Sequence, residues 1–402
     1  MELLTRVFKA KEVLKEVVRR TDLIPAGHLR NDCKVYLKAE NLQTTGSFKI
    51  RGAYYKISQL TEEEKAKGIV ACSAGNHAQG VALAAQYGNI NATICIPKAA
   101  PLSKIEMTRS YGVNVELVDG VYDDAYERAL EICEQEGRIF IHPFNDLDVI
   151  AGQGTIALEI LDQLTDVDTI VVPIGGGGLI SGIAATIKQL KPSVEIIGVQ
   201  ALGAPSMLES TQQQCMVKLS HVATIADGIA VKQPGNITFD MVCKYVDQIV
   251  TVSEEEIATA ILTLMEKQKI VTEGAGAVAT AAVLFPKFDV KNKKIVCLIS
   301  GGNIDVSILS KVINMGLVKA GRMSELRIQL YDKPGQLTKV TEIIAQQEAN
   351  IVSISHDRMN ELYDVSICYV DAVLETRDRQ HVKQIKRALI DQGFQIVDSQ
   401  NQ

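Results

Sequence analysis

The sequence contains no tryptophan, and aromatic residues of all kinds make up only 5% of its 402 residues. That removes the stacking platforms on which a single-strand nucleic-acid binder depends. The formal net charge of −6 leaves no basic surplus to grip a phosphate backbone, so nucleic acid is excluded as a partner. The opening "MELLTRVFKAKEVLKEVVRR" mixes charged and apolar residues at helical spacing and reads as neither signal peptide nor membrane span. The eight cysteines form no CxxC and no ladder of short spacings, and several sit in apolar runs such as "IVCLIS". Cysteine used as a small hydrophobe points to a reducing, cytoplasmic setting and away from disulfides or structural zinc. The six histidines show no HExxH or other ligand spacing, so no metal site is expected. A Walker loop and a GxSxG elbow are also missing.

What is present is an alternation of short β-branched runs with helix-period segments, from residue 33 to residue 320. "KVYLKA", "GIVAC", "ATICIP", "VNVELV", "DTIVVPI", "EIIGVQ", "QIVTV" and "KIVCLIS" read as strands, and many of them are apolar throughout rather than alternating, as strands buried on both faces should be. Helical segments such as "NHAQGVALAAQYG" and "VIAGQGTIALEILDQL" fall between them, with Gly88, Gly112 and Gly137 as expected stops. The pattern predicts an α/β fold, two parallel-sheet subdomains around a cleft, over residues 1–320. The smaller subdomain, about 50–145, is inserted in the larger. From Ser324 the order becomes β, α, β, β, α, β, a ferredoxin-like α+β domain over 324–402.

Several stretches have compositions that packing alone does not require. "VPIGGGGLISG" sets Gly175, Gly176, Gly177 and Gly178 between a buried strand and a helix. Backbone N–H groups at such a helix start can converge on a phosphate, whereas a plain turn needs one or two glycines rather than four. "CSAGNHAQG" also opens a helix, and Ser73, Asn76 and nearby N–H groups could hold a carboxylate or simply cap the helix. "CLISGGNID" ends a buried strand at Ser300, where open α/β sheets place ligand contacts, and "VTEGAGA" sets an acid among small residues. "GQGTIA" matches a dinucleotide fingerprint but follows a poor strand, so it reads as a glycine pair within a helix. Lys49 lies in "TGSFKIRGA", among small residues just before a helix. A lysine amine with a phosphate site, and no nucleotide or metal signal, suits pyridoxal 5'-phosphate or a sugar-phosphate aldolase.

Taken in order, "TGSFKIRGA", "ACSAGNHAQG", "VIAGQGT", "VPIGGGGLISG", "VTEGAGA" and "ISGGNID" resemble the pyridoxal-phosphate-dependent serine/threonine dehydratases of fold type II, over residues 5–320. "DKPGQL" and "ANIVSISHDR" resemble an ACT domain, an amino-acid-sensing module. The resemblance implies that Lys49 carries pyridoxal 5'-phosphate and later removes the substrate Cα proton. It implies that Phe48 packs beside the cofactor ring, Asn76 bonds its 3'-oxygen, and Gly175 to Gly178 with Leu179 cradle its phosphate. Ser300 would face the pyridine nitrogen, where a hydroxyl, unlike a carboxylate, does not keep that nitrogen protonated and so favours prompt β-elimination. Ser73, Ala74, Gly75, Asn76 and His77 would grip the substrate carboxylate.

Racemase relatives carry a serine where this chain has Ala74, so a second-face proton donor is lacking there. Gln200 replaces an acid often found at the end of "EIIGVQ", which removes support for a divalent-cation site. The implied reaction is β-elimination of L-threonine, and of L-serine, to a 2-oxo acid and ammonia. β-Replacement and an amino-acid-responsive regulator with a relict catalytic half are the alternatives. An amino-acid effector is expected near Asp332, Pro334, Gly335, Gln336 and Leu337, and the resemblance implies a homodimer or homotetramer.

Overall fold

The computed structural model describes residues 2–358 and 366–397. The chain divides into two compact units, Met1–Ile308 and Leu309–Gln402. Among the described residues no helix is long and apolar enough to cross a membrane.

The first unit holds two sheets. Strands Ile69–Cys72 and Thr169–Pro173 are buried at every position, which is why their sequences run apolar without alternation. The larger sheet orders six strands as Leu23–Pro25, Lys34–Ala39, Lys294–Ile299, Thr169–Pro173, Glu195–Ala201 and Gln248–Val252. Only the short first strand runs antiparallel to its neighbour. The smaller sheet is parallel throughout, in the order Asn114–Val118, Ala92–Pro97, Ile69–Cys72, Ile139–Phe140. All eight expected runs form strands. Leu23–Pro25 and Ile139–Phe140 are too short to show a period and were not anticipated. Gly137 ends its helix in the left-handed region, but Gly88 is helical, and the expected stop falls to Asn89 at φ 50°.

Three helices fix the position of Lys49. Helix Lys49–Ser58 lies against helix Leu147–Gln163, which begins where the Asp146 side chain accepts from the N–H groups of Asp148 and Val149. "GQGTIA" is inside that second helix, and a Cβ on Gly152 would come within 2.5 Å of the Arg51 carbonyl oxygen. Close helix packing therefore accounts for this glycine. On the other side, a Cβ on Gly80 of helix Asn76–Gly88 would come within 3.1 Å of the Lys49 carbonyl carbon. Beneath Lys49, fully buried Arg51 forks onto Glu40 with two bonds of 2.8 Å and reaches Glu159 at 2.6 Å. Lys38 takes the other Glu159 oxygen at 2.6 Å. Burial pushes the Glu40 carboxyl up, but Arg51 outweighs it, so two cations face two carboxylates with no charge left over.

The second unit is an antiparallel sheet in the order Asn350–Asp357, Ile367–Glu375, Met323–Tyr331, Gln395–Val397. With helices Gln336–Gln346 and Arg379–Asp391 it has the ferredoxin-like β-α-β-β-α-β order. Leu326, Ile328 and Leu330 alternate inward to meet Val370, Ile344 and Leu389. The strand expected over "LYDVSICYV" lies further along, at Ile367–Glu375. Residues 362–365 of that expectation, and 398–399 of the last expected strand, lie outside the described residues.

Candidate active site

Lys49 is the first residue of its helix. Its Nζ donates to the Pro143 carbonyl at 3.0 Å and lies 5.3 Å from the centre of the Phe48 ring. Burial pushes this amine down to about 8, against an upward pull from the Glu273 carboxylate. About a tenth of it is then neutral at pH 7, compared with roughly one part in three thousand for an ordinary lysine. Such an amine is an effective nucleophile and base. The Phe48 N–H donates to the Ser300 carbonyl at 3.1 Å, and Ser47 pairs with Gly301, so the lysine loop is stitched to a strand end of the larger sheet. The Phe48 ring itself packs in the main core with Ile174 and Leu179.

Pro143 belongs to a turn organised by His142, whose Nδ1 accepts from the N–H groups of Phe144 at 3.2 Å and Asn145 at 2.8 Å. Phe144 then covers the glycine run. A Cβ on Gly176 would lie 2.4 Å from its ring, and one on Gly178 would lie 2.9 Å from its Cα. Gly177 takes φ 95° and caps helix Gly178–Leu190. Thr238 Oγ1 donates to the Gly176 carbonyl at 2.6 Å and pins the loop. At this helix start the N–H groups of Gly178, Leu179 and Ile180 have no intrahelical acceptor. Packing against Phe144 and Thr238 is thus a reason for the glycines that the sequence did not show, beside the phosphate contact expected of them. Gly175 faces Ile229, whose Cα would lie 3.0 Å from an added Cβ.

Asn76 opens the neighbouring helix. Its Nδ2 donates to Glu273 Oε1 at 2.7 Å, and its Oδ1 accepts from Asn303 Nδ2 at 2.7 Å. Ser73 Oγ accepts from the Gly75 N–H at 3.2 Å. Ser73, Ala74 and Gly75 are half-buried, and a Cβ on Gly75 would meet nothing within 4 Å, which leaves the front of this helix open. His77 is different. Its ring turns away, and Nε2–H donates to the Ile141 carbonyl at 2.8 Å, so only its backbone N–H remains at the helix start. Burial pushes His77 down to about 3 and His142 to about 4, with the Lys49 charge adding to both, so both rings are neutral.

Lys49, Phe48, Asn76, the glycine run and Ser300 therefore converge at strand and helix ends, as open α/β sheets arrange their sites. Asp332, Pro334, Gly335, Gln336 and Leu337 belong to the second unit. There Arg358 forks onto the Asp332 carboxylate at 3.0 and 2.9 Å, and Gly335 caps a helix at φ 87°. The sequence marked the acid of "VTEGAGA", Glu273, without a role, and gave no role to Asn303, Pro143, Phe144 or Thr238. "VTEGAGA" and "ISGGNID" drew notice, but nothing local showed that Glu273 and Asn303 would meet at Asn76. Gln200 gives its amide to the Ala204 carbonyl at 3.2 Å and the Ile174 carbonyl at 3.4 Å. Among the described residues no group of three or more His, Cys, Asp or Glu side chains could hold a metal ion.

This donor set fits pyridoxal phosphate. It offers a buried amine of lowered basicity for an aldehyde, a left-handed glycine and free N–H groups at a helix start for a phosphate, and a strand-end hydroxyl for a ring nitrogen. A family model described as pyridoxal-phosphate dependent enzyme matches residues 14–301. The chain is 52% identical over 390 residues to L-threonine ammonia-lyase of Thermotoga maritima, an alignment spanning 96% of this chain and 97% of that one. It is 47% identical over 310 residues to the catabolic L-threonine dehydratase TdcB of Escherichia coli K12, spanning 76% and 94% of the two chains. Among solved structures, the processed form of threonine deaminase isoform 2 from Solanum lycopersicum matches with a TM-score of 0.74 and 41% identity. That match covers 78% of this chain and 93% of the other.

Proposed function

The chain belongs to the pyridoxal-phosphate-dependent enzyme family, and from that premise we propose that it converts L-threonine to 2-oxobutanoate and ammonia, and L-serine to pyruvate and ammonia. The observation that carries this is the Lys49 amine, lowered to about 8 by burial and set among the Phe144-covered glycines, Asn76 and Ser300. Bound in the site, pyridoxal phosphate supplies an electron sink for charge developing at the substrate Cα. Lys49 would hold the cofactor, and its Nζ, once free, would take the substrate Cα proton. The helix start at Gly178, with Gly175 to Gly177 and Leu179, binds the phosphate through N–H groups. Phe48 would pack beside the ring, Asn76 would bind the 3'-oxygen, and the Ser300 hydroxyl would face the ring nitrogen.

Backbone N–H groups at the Asn76 helix start, with Ser73, Ala74 and Gly75 before them, hold the substrate carboxylate. His77 contributes there through its backbone, since its ring is engaged with Ile141. Ala74 offers no proton to the far face, which keeps the outcome at elimination rather than racemisation. The second unit binds an amino-acid effector, isoleucine or valine, beside Asp332 to Leu337, and the working assembly is a homodimer or homotetramer.

The test is direct. Purified protein with pyridoxal phosphate and threonine should yield 2-oxobutanoate, and borohydride should fix the cofactor on residue 49. Lys49→Ala should abolish turnover, and a Lys49→Ala variant as active as the parent would overturn the reading.

A further inference from the structure

Glu273 is only 5% exposed, and the elimination outlined above gives it no task. It stands just before helix Gly274–Leu284, far from Asn76 in sequence yet bonded to it at 2.7 Å. The donor order along this chain of groups has one solution. The Thr45 carbonyl can only accept, so Asn303 meets it with Nδ2, at 2.9 Å. The same Asn303 Nδ2 must then donate to Asn76 Oδ1, at 2.7 Å. That leaves the Asn76 Nδ2 facing Glu273, whose ionised carboxylate can only accept. One of the two Nδ2 hydrogens is committed to Glu273, and the other is free. Gly301, next to Ser300, lies against the pair, since a Cβ there would come within 2.5 Å of Glu273 Oε1 and 3.1 Å of Asn76 Nδ2.

We propose that Glu273 is a positioning residue: with Asn303 it locks the Asn76 amide in one orientation, keeping the second Nδ2 hydrogen for the oxygen on the cofactor ring. This rests on the reading of Asn76 as a cofactor contact. An asparagine free to rotate presents oxygen or nitrogen about equally, and presenting oxygen to an oxyanion is repulsive. Charged groups on several elements act on Glu273: Asp227 from 227–229, Lys104 from helix Leu102–Arg109 and Lys49 from its own helix. Burial, then Asp227, raises the carboxyl to about 7, while Asn76 and the two lysines pull it back. A bond to a carboxylate is stronger than one to the neutral acid, so the lock tightens as pH rises through that value.

The test titrates full-length apoprotein with pyridoxal phosphate and follows the visible absorbance of the bound cofactor. Asn76→Ala and Glu273→Ala should each weaken binding by about tenfold or more, while the double variant should bind no worse than Asn76→Ala alone. Glu273→Gln, which keeps an acceptor of the same shape, should stay within about threefold of wild type above pH 7 and lose the wild type's change in affinity near pH 7. Losses that multiply in the double variant would overturn the proposal, because Glu273 would then act independently of Asn76. So would wild-type affinity in Glu273→Ala. If Glu273→Ala does not fold, Asn303→Asp serves instead. Its carboxylate reverses the donor order and should cost as much affinity as Asn76→Ala, and unchanged binding would sink the idea. A wild-type protein that binds no pyridoxal phosphate would instead remove the functional reading itself, and this inference with it.

Discussion

Buried His77 and half-buried His142 both feel the Lys49 charge, and their titration can be worked out residue by residue. His77 and His142 fall from an ordinary 6.5 to about 3 and about 4, chiefly through burial. Well above pH 6.5 both rings are neutral in either state and contribute no pH dependence. As the pH falls below that value, the unfolded chain takes up protons that the folded chain refuses, and stability drops until the folded rings themselves titrate. Between pH 7 and pH 5 each ring should cost about 2 kcal/mol. His77→Gln keeps a donor for the Ile141 carbonyl and cannot charge. Denaturant unfolding at the two pH values should therefore show a smaller loss for the variant, and an identical loss would remove His77 from the acid limb. Lys49 gives a second expectation at this scale. Apoprotein should take up pyridoxal phosphate at a rate that rises with pH to a midpoint near 8, measured by stopped-flow absorbance, and a midpoint near 10.5 would mean the amine is not desolvated.

At the scale of an element, the glycine run and the turn at Phe144 act as one piece. Gly176 has no room for a methyl group, with the Phe144 ring 2.4 Å from where it would go. Gly176→Ala must displace that ring or the loop, at about 1–3 kcal/mol for overpacking. The displaced Phe144 adjoins Pro143, the carbonyl that receives the Lys49 amine. The variant should therefore lose cofactor affinity together with thermal stability. Phe144→Ala in the same chain should return part of the stability without restoring affinity, since the turn loses its ring. Cofactor affinity equal to wild type in Gly176→Ala would mean that loop and turn are independent. The buried set of Arg51, Glu40, Glu159 and Lys38 supports the neighbouring helix in the same way. Arg51, Glu40 and Lys38 are buried and Glu159 closes the set at its half-buried edge, so removing one member would leave a buried charge uncompensated.

For the whole molecule, every residue placed in the catalytic site lies before Asp305, and the family match ends at residue 301. The second unit has its own core, from Leu326 to Phe394. A chain ending at residue 320 should therefore keep threonine turnover and lose any response to isoleucine or valine, as read by steady-state assays with and without the effector. A response that survives the truncation would place the effector elsewhere. Loss of turnover on truncation would show that the first unit depends on the second for its active form.

Much of the architecture was legible because doubly buried strands must be apolar without alternation, and that is a local property of the chain. Lys49, Asn76 and the glycine run each stand at a helix start and Ser300 follows a strand end, and such places are marked in the sequence by local turn composition. What the sequence left open is how those loops meet. Glu273 bonds Asn76 across 197 residues, and Lys49 reaches Pro143 across 94. No periodicity encodes such pairs, because the order of strands in the two sheets decides which loops become neighbours. The direction of the His77 ring and the cover that Phe144 gives the glycines were settled the same way. Composition and period determined which elements form, and their packing alone determined which side chains share a site.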